Sequence, residues 1–263
     1  SYVKKSEAAL RELLPAIRIK HLKPGNSENV TGTGERILIV TVGHKSALQA
    51  AHYAYPTLNT LITRRTFDSL NSTYRSPQSV VFLEQPVVRQ LQLIKSALPL
   101  RKKLTVFVGS ESAGQHRELQ EESQRQGLEL ELLNVDEDGD IDRIFSQSLL
   151  SEDTLLLLPD PQVVNRRTVK PLVLGSYRKG VPLVGYSQAL VKAGALMAVH
   201  SPISALKEQM LKAVKYFFAT GVLPPPRYAS DFDVSVNYQL ARALKISLPS
   251  EKSLKQTLEE QLR

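Results

Sequence analysis

The sequence predicts an α/β protein of two Rossmann-like lobes with mostly parallel sheets, and three observations lead there. Short runs rich in Leu, Ile and Val alternate with longer stretches of helical periodicity, which is the pattern of βα units. Eight such runs occur, at residues 37–42, 58–63, 79–83, 104–109, 128–135, 154–159, 181–186 and 195–200, too many for one small sheet. The 263 residues suit one large domain or two of about 130 residues, each able to bury its own core without cross-links.

Composition narrows the class. With 42% hydrophobic and 23% charged residues the chain is ordinary for a globular protein, which excludes disorder, collagen and coiled coil. It has no cysteine, so disulfides, thiolate zinc sites and cysteine nucleophiles are excluded, and the lack of thiols fits an oxidising compartment. No run approaches the roughly 20 apolar residues that a membrane-spanning helix needs. The first residues, Ser1-Tyr2-Val3-Lys4-Lys5, carry no apolar signal-peptide core, so a targeting segment is expected to have been removed or never included.

Taken in order, the first helix, over residues 2–14, precedes any strand, whereas βα architectures usually begin with one; either an amino-terminal strand is missing or the domain starts with a surface helix. Residues 16–22 alternate apolar and basic side chains (Ile17, Arg18, Ile19, Lys20), which predicts a strand near a sheet edge. Pro24, Gly25, Asn26, Gly32 and Gly34 make residues 23–34 a long loop. Pro86 is expected in the first turn of a helix over 87–98, and Ser201-Pro202 as a cap followed by a first-turn proline before a helix over 205–220. Gly127, Gly180 and Gly221 stand where helix C-caps belong.

Several motifs fail on their own chemistry. Gly32-Thr33-Gly34 precedes its strand and lacks a third glycine, so it cannot cradle a pyrophosphate at a helix start. The acidic run from Asn134 to Gly139 resembles the opening of a calcium loop, but Phe145 stands where a bidentate Glu is required. Around Ser112 the spacing of a nucleophile elbow is broken, because residue 110 is serine where glycine is needed. The five histidines show no metal-binding spacing. The formal charge of +8 comes largely from scattered pairs such as Lys4-Lys5, Arg64-Arg65, Lys102-Lys103 and Arg166-Arg167 without interleaved aromatics, so no nucleic-acid partner is expected.

From Gln85 onward the order of features resembles the ABC-transporter substrate-binding family that includes tryptophan- and tyrosine-type binding proteins. The residues that carry this are 86–99 (PVVRQLQLIKSALP), the strand 104–109, 155–160 (LLLLPD), 181–195 (VPLVGYSQALVKAGA) and 232–246 (FDVSVNYQLARALKI). Val42-Gly43-His44-Lys45-Ser46-Ala47 resembles the family's strand-to-helix loop that faces the ligand, and Thr63-Arg64 holds the corresponding place after the next strand. The family's acidic residue and proline after that strand are missing, as is its Asn-x-Thr-Gly element before the first crossover; Asn29-Val30-Thr31-Gly32 has those letters in another place. The resemblance implies the type I periplasmic-binding architecture, with a hinge cleft between lobes. It implies an N-terminal lobe of residues 1–98 plus 204–224 and a C-terminal lobe of 99–203 plus 225–263.

In open α/β sheets ligands meet the loops beyond the carboxyl ends of the strands. That rule selects His44, Lys45, Ser46, Thr63 and Arg64 in the first lobe, and Ser110, Ser112, Asp160, Gln162, Tyr186 and Ser187 in the second. Each also has a structural reading: Ser46, Ser110 and Ser187 as helix caps, Asp160 before Pro161 as a turn residue, and Tyr186 as packing. For a ligand, Lys45 or Arg64 suits a carboxylate, Asp160 an amine, and Tyr186 a stacking role.

The resemblance therefore implies a monomeric extracytoplasmic solute-binding protein of an ABC-type importer, working with a permease, with or without a lipid anchor upstream. It would hold a small polar or zwitterionic, amino-acid-like ligand without cofactor, metal or chemistry. The rival reading is a degenerate module of the same fold that acts as a sensor or protein-interaction domain. A repressor core lacks its helix-turn-helix, and no nucleophile, base and orienting group assemble into an enzyme.

Overall fold

The computed structural model describes residues 2–13, 18–21, 36–71, 74, 76–109, 112–135, 140–147 and 152–261. The chain divides into two compact units, the first of Ser1–Leu83 and Ser201–Asp231, the second of Glu84–His200 and Phe232–Arg263. Its opening segment carries α1 (Tyr2–Leu13), β1 (Ile39–Val42), α2 (His44–Ala50), β2 (Thr57–Ile62), α3 (Arg64–Asn71) and β3 (Gln78–Phe82). The second segment runs through α4 (Val87–Ala97), β4 (Lys103–Val108), α5 (His116–Gln126), β5 (Glu129–Asn134), α6 (Asp140–Gln147), β6 (Thr154–Leu157), α7 (Val169–Lys179), β7 (Leu183–Gly185), α8 (Gln188–Ala193) and β8 (Met197–His200). Then α9 (Ile203–Thr220) and β9 (Arg227–Tyr228) return to the first unit, while β10 (Asp233–Val236), α10 (Tyr238–Ala243) and α11 (Glu251–Glu260) complete the second.

The first unit is a parallel sheet in the order β1-β2-β3-β9. On one face Ala47, Ile62, Phe67, Leu70, Val80 and Phe82 pack together, and on the other Leu58 meets Met210, Ala213 and Val214 of α9. Leu58 and Ile62 are an even number of residues apart, so a regular strand would put them on the same face. They lie on opposite faces because the register slips between Thr60 and Ile62, and the bulged Leu61 sits at φ 56. A non-glycine residue there costs about 1–3 kcal/mol. The bulge re-aims the end of β2 one residue before Thr63. Inside this sheet the Thr41 hydroxyl donates to Asn59 Oδ1 at 2.7 Å, and the Asn59 amide donates to the Ser79 carbonyl at 3.3 Å.

The second unit is doubly wound. Its sheet runs β10-β8-β7-β6-β4-β5, parallel except where β10 pairs antiparallel with β8. Every residue of β6, Thr-Leu-Leu-Leu, is buried, as expected of a strand covered on both faces. Leu104, Val106, Val108 and Leu156 pack against α4, α5 and α11, while Phe107, Leu155 and Leu157 pack against α6, α7 and α8. Because β5 and β6 lie on either side of β4, the chain reverses its direction of travel across the sheet between β4 and β6.

All eight predicted strands form within a residue or two of their expected limits. Gly127 and Gly180 cap their helices at φ 67 each, and Gly221 does so at φ 80. Other expectations change. Of the edge strand expected over 16–22, the described residues 18–21 are in no strand. Arg18 and Lys20 are exposed, and His21 turns instead to α1, its Nε2 lying 2.9 Å from Glu7 Oε2. Pro86 and Pro202 are N-caps with extended backbone (ψ 150 and 147) rather than first-turn residues, since each helix begins one residue later. The loop expected over 23–34 lies outside the described residues, as do 136–139 of the acidic turn.

The units also differ from the expected division. Residues 84–98 fall in the second unit, because Leu91, Leu93 and Ile94 of α4 are fully buried in its core. Residues 225–231 fall in the first, where β9 pairs with β3 and the Tyr228 ring lies 4.8 Å from that of Phe82.

Candidate functional site

The point where chain direction reverses across an open sheet leaves a crevice at the strand carboxyl ends. In the second unit that point is β4 beside β6, and the loops after these strands are joined through Asp160. This residue is 1% exposed. Its Oδ2 accepts from the Ser112 hydroxyl at 2.7 Å and from the Gly109 N–H at 3.2 Å, and its Oδ1 accepts from the Gln162 N–H at 2.9 Å. Both carboxylate oxygens are therefore engaged by the protein's own loops. A β-carbon on Gly109 would come within 2.9 Å of Gln162 Cβ and 3.0 Å of Asp160 Oδ2, so glycine at 109 lets these loops approach closely.

Tyr186 follows β7, the next strand along, and is partly buried. Burial, then the negative charges of Glu84 and Asp160, push its hydroxyl up to about 12, which keeps it a neutral phenol under ordinary conditions. Ser187 caps α8, its hydroxyl accepting from the Leu190 N–H at 3.3 Å.

In the first unit the candidates stand at the carboxyl ends of β1 and β2. His44, Lys45 and Ser46 form the first turn of α2; the histidine and lysine are exposed and the serine is partly so. Thr63 precedes α3 and its hydroxyl accepts from the Thr66 N–H at 3.2 Å. Arg64 opens that helix, 3.9 Å from Asp68 one turn on.

The structure thus brings Ser112, Asp160 and Gln162 together, with Tyr186 in the same field. It keeps His44, Lys45 and Ser46 on one loop of the first unit and Thr63 and Arg64 on another. Ser110 lies outside the described residues. Asp160, expected as an amine partner or a turn residue, is a buried tie between loops. Two participants escaped the sequence reading. Glu84, 4% exposed, stands just after the third predicted strand, a strand-end position like those of the other candidates. Gly109 closes the fourth predicted strand, and only its three-dimensional neighbours reveal why it is glycine. Among the described residues no group of three or more His, Asp or Glu is placed to hold a metal ion.

The raised tyrosines carry a pH dependence. Tyr74 in the first unit is likewise pushed up to about 12, by burial and against its bond to Asn59, which lowers it. A phenol whose folded value exceeds the ordinary 10 contributes stability that is complete below pH 10 and is lost as pH rises through about 12. Stability is expected to fall across that interval, and Tyr186→Phe to remove up to about 2 kcal/mol of the fall. Denaturant titrations across the interval check this; parallel curves for the variant and the parent protein would refute it.

No protein-family model matches the chain, and no curated protein does. Solved structures do. A protein of Streptococcus pneumoniae in complex with L-tryptophan is 19% identical with a TM-score of 0.62, over 84% of this chain and 78% of that one. A conserved domain protein from Vibrio cholerae is 18% identical with a TM-score of 0.63, over 83% and 76%. The ligand-free, open structure of a substrate-binding protein with adhesive properties from Clostridium difficile is 18% identical with a TM-score of 0.66, over 96% and 82%. These likenesses define the class by architecture: α/β, with mostly parallel sheets in two units. The fold is the type I periplasmic-binding fold.

Proposed function

We propose that the chain is an extracytoplasmic solute-binding protein of an ABC-type importer that takes a small zwitterionic, amino-acid-like ligand and passes it unchanged to a permease. The observation that carries the reading is the charge at the strand ends. In the second unit Tyr186 stands in the field of the buried Glu84 and Asp160. A neutral phenol oxygen accepts from an ammonium group, and the two carboxylates behind it favour positive charge there. In the first unit Lys45 and Arg64 suit the ligand's carboxylate. Asp160 serves this site by positioning the Ser112 and Gln162 loops. The fold supports a binding role, and the L-tryptophan held by the Streptococcus protein is in keeping with an amino-acid-like ligand.

A thermal-shift screen of the whole chain against amino acids, sugars, nucleosides and oligopeptides tests the proposal. An amino acid at a hundred times its dissociation constant should add about 2.7 kcal/mol of stability. That gain should shrink in Tyr186→Ala and in the double variant K45A/R64A. A shift with sugars alone would overturn the zwitterion. The engaged carboxylate of Asp160 favours a second reading, a module of the same fold that binds a protein partner; silence across the whole screen would favour it.

A further inference from the structure

None of the 26 acidic residues falls within residues 161–200, whereas six of the 34 basic ones do: Arg166, Arg167, Lys170, Arg178, Lys179 and Lys192. Five of these lie on or just before α7. The inner side of that helix is set by tight packing. A β-carbon on Gly175 would lie 2.6 Å from the Phe145 ring, Leu172 and Ser176 are buried, and Val173 comes within 2.5 Å of where a β-carbon on Gly194 would be. The opposite stripe, at helical spacing i, i+4, i+7 and i+8, is Lys170, Leu174, Tyr177 and Arg178. Leu174 is 39% exposed and Tyr177 52%, and both cations are exposed.

We infer that this face of α7 is a docking surface for an anionic phospholipid membrane. Two exposed apolar side chains, one of them a tyrosine, ringed by Lys and Arg are the composition of a helix that lies in a lipid–water interface. The stripe is the back of a helix packed on a sheet. A peptide partner would want a groove or a free strand edge. Long basic side chains instead suit a diffuse layer of phosphates, where each one near an anionic surface multiplies the partition coefficient about fivefold. No helix among the described residues is long and apolar enough to cross a membrane, so the association proposed is peripheral.

The chain contains no tryptophan, so Tyr177→Trp places a sole reporter on the face and Tyr216→Trp, on the exposed side of α9, a matched control. With phosphatidylcholine vesicles containing phosphatidylglycerol, the emission of Y177W should shift to the blue, and it should not with phosphatidylcholine alone; Y216W should stay unchanged in both. In co-sedimentation, K170E/R178E should lower the partition coefficient at least about tenfold. The same change of charge on α9 and α11, K215E/K252E, should lower it by less than about threefold. Thermal unfolding of each variant checks that it is folded, and K170Q/R178Q serves if the reversal is not. No blue shift in Y177W, an equal shift in Y216W, or equal losses in the two charge-reversed variants would overturn the inference. Retention of the cations' effect on an acidic protein partner without any vesicle binding would likewise assign the face to a protein and overturn it.

Discussion

Replacing Phe107 with alanine is expected to cost the second unit about 4 kcal/mol. Phe107 has no exposed surface and stands in the interior strand β4, paired on both sides. Its ring meets that of Phe145 edge-on at 5.5 Å, and Phe145 in turn fills the space beside Gly175 where α6 and α7 press together. Truncation would remove the apolar contact and leave a cavity that strand and helices cannot both close. Neighbouring Leu155, Leu157 and Leu183 are held by sheet hydrogen bonds, which limits collapse into the space. Equilibrium urea unfolding followed by circular dichroism would register the loss as a lower midpoint. A change below about 1 kcal/mol would mean that this core relaxes far more readily than its packing implies.

The second large effect is at Asp160. Alanine there would leave the Ser112 hydroxyl and the Gly109 and Gln162 amides without their shared acceptor, in a place that water reaches poorly. Each abandoned buried donor costs about 1–3 kcal/mol. Ser112 and Gly109 retain a 3.0 Å bond between the serine oxygen and the glycine amide, so the expected total is about 3 kcal/mol. Asp160→Asn should fall between, because the amide group faces backbone donors that need an acceptor. The cycle of D160A, S112A and the double variant should show a coupling of at least about 1 kcal/mol. If Asp160 were instead an exposed ligand contact, D160A would weaken ligand binding and leave stability within about 0.5 kcal/mol of the parent protein, with no coupling to Ser112.

The contrast between Asp160 and Tyr186 shows how far strand-end logic reaches. Both were selected because they follow apolar runs, and both do stand at the carboxyl ends of neighbouring strands. Sequence position could not tell which polar group is consumed by the next loop. For Asp160 that was decided by Gly109 and Ser112, some fifty residues away, whose amide and hydroxyl occupy the carboxylate. Glu84 shows the reverse. It follows a predicted strand, yet its bearing on Tyr186 required knowing that the chain leaves the first unit at Leu83.

Local pattern was sufficient where the physics is local. Eight apolar runs became strands, and glycines at 127, 180 and 221 became left-handed caps, because β-propensity, burial and the steric freedom of glycine act within a few residues. The bulge at Leu61 was not legible, since the residue is an ordinary leucine in an apolar run. Its positive φ follows from a need to serve Leu58 on one face and Ile62 on the other. The assignment of α4 and β9 to their units was likewise settled by packing partners distant in the chain. The sequence alone therefore determined the α/β class, the strands and the set of strand-end candidates. Tertiary structure decided which candidates share a site and which cations share a face, because those outcomes depend on contacts between residues that no local pattern relates.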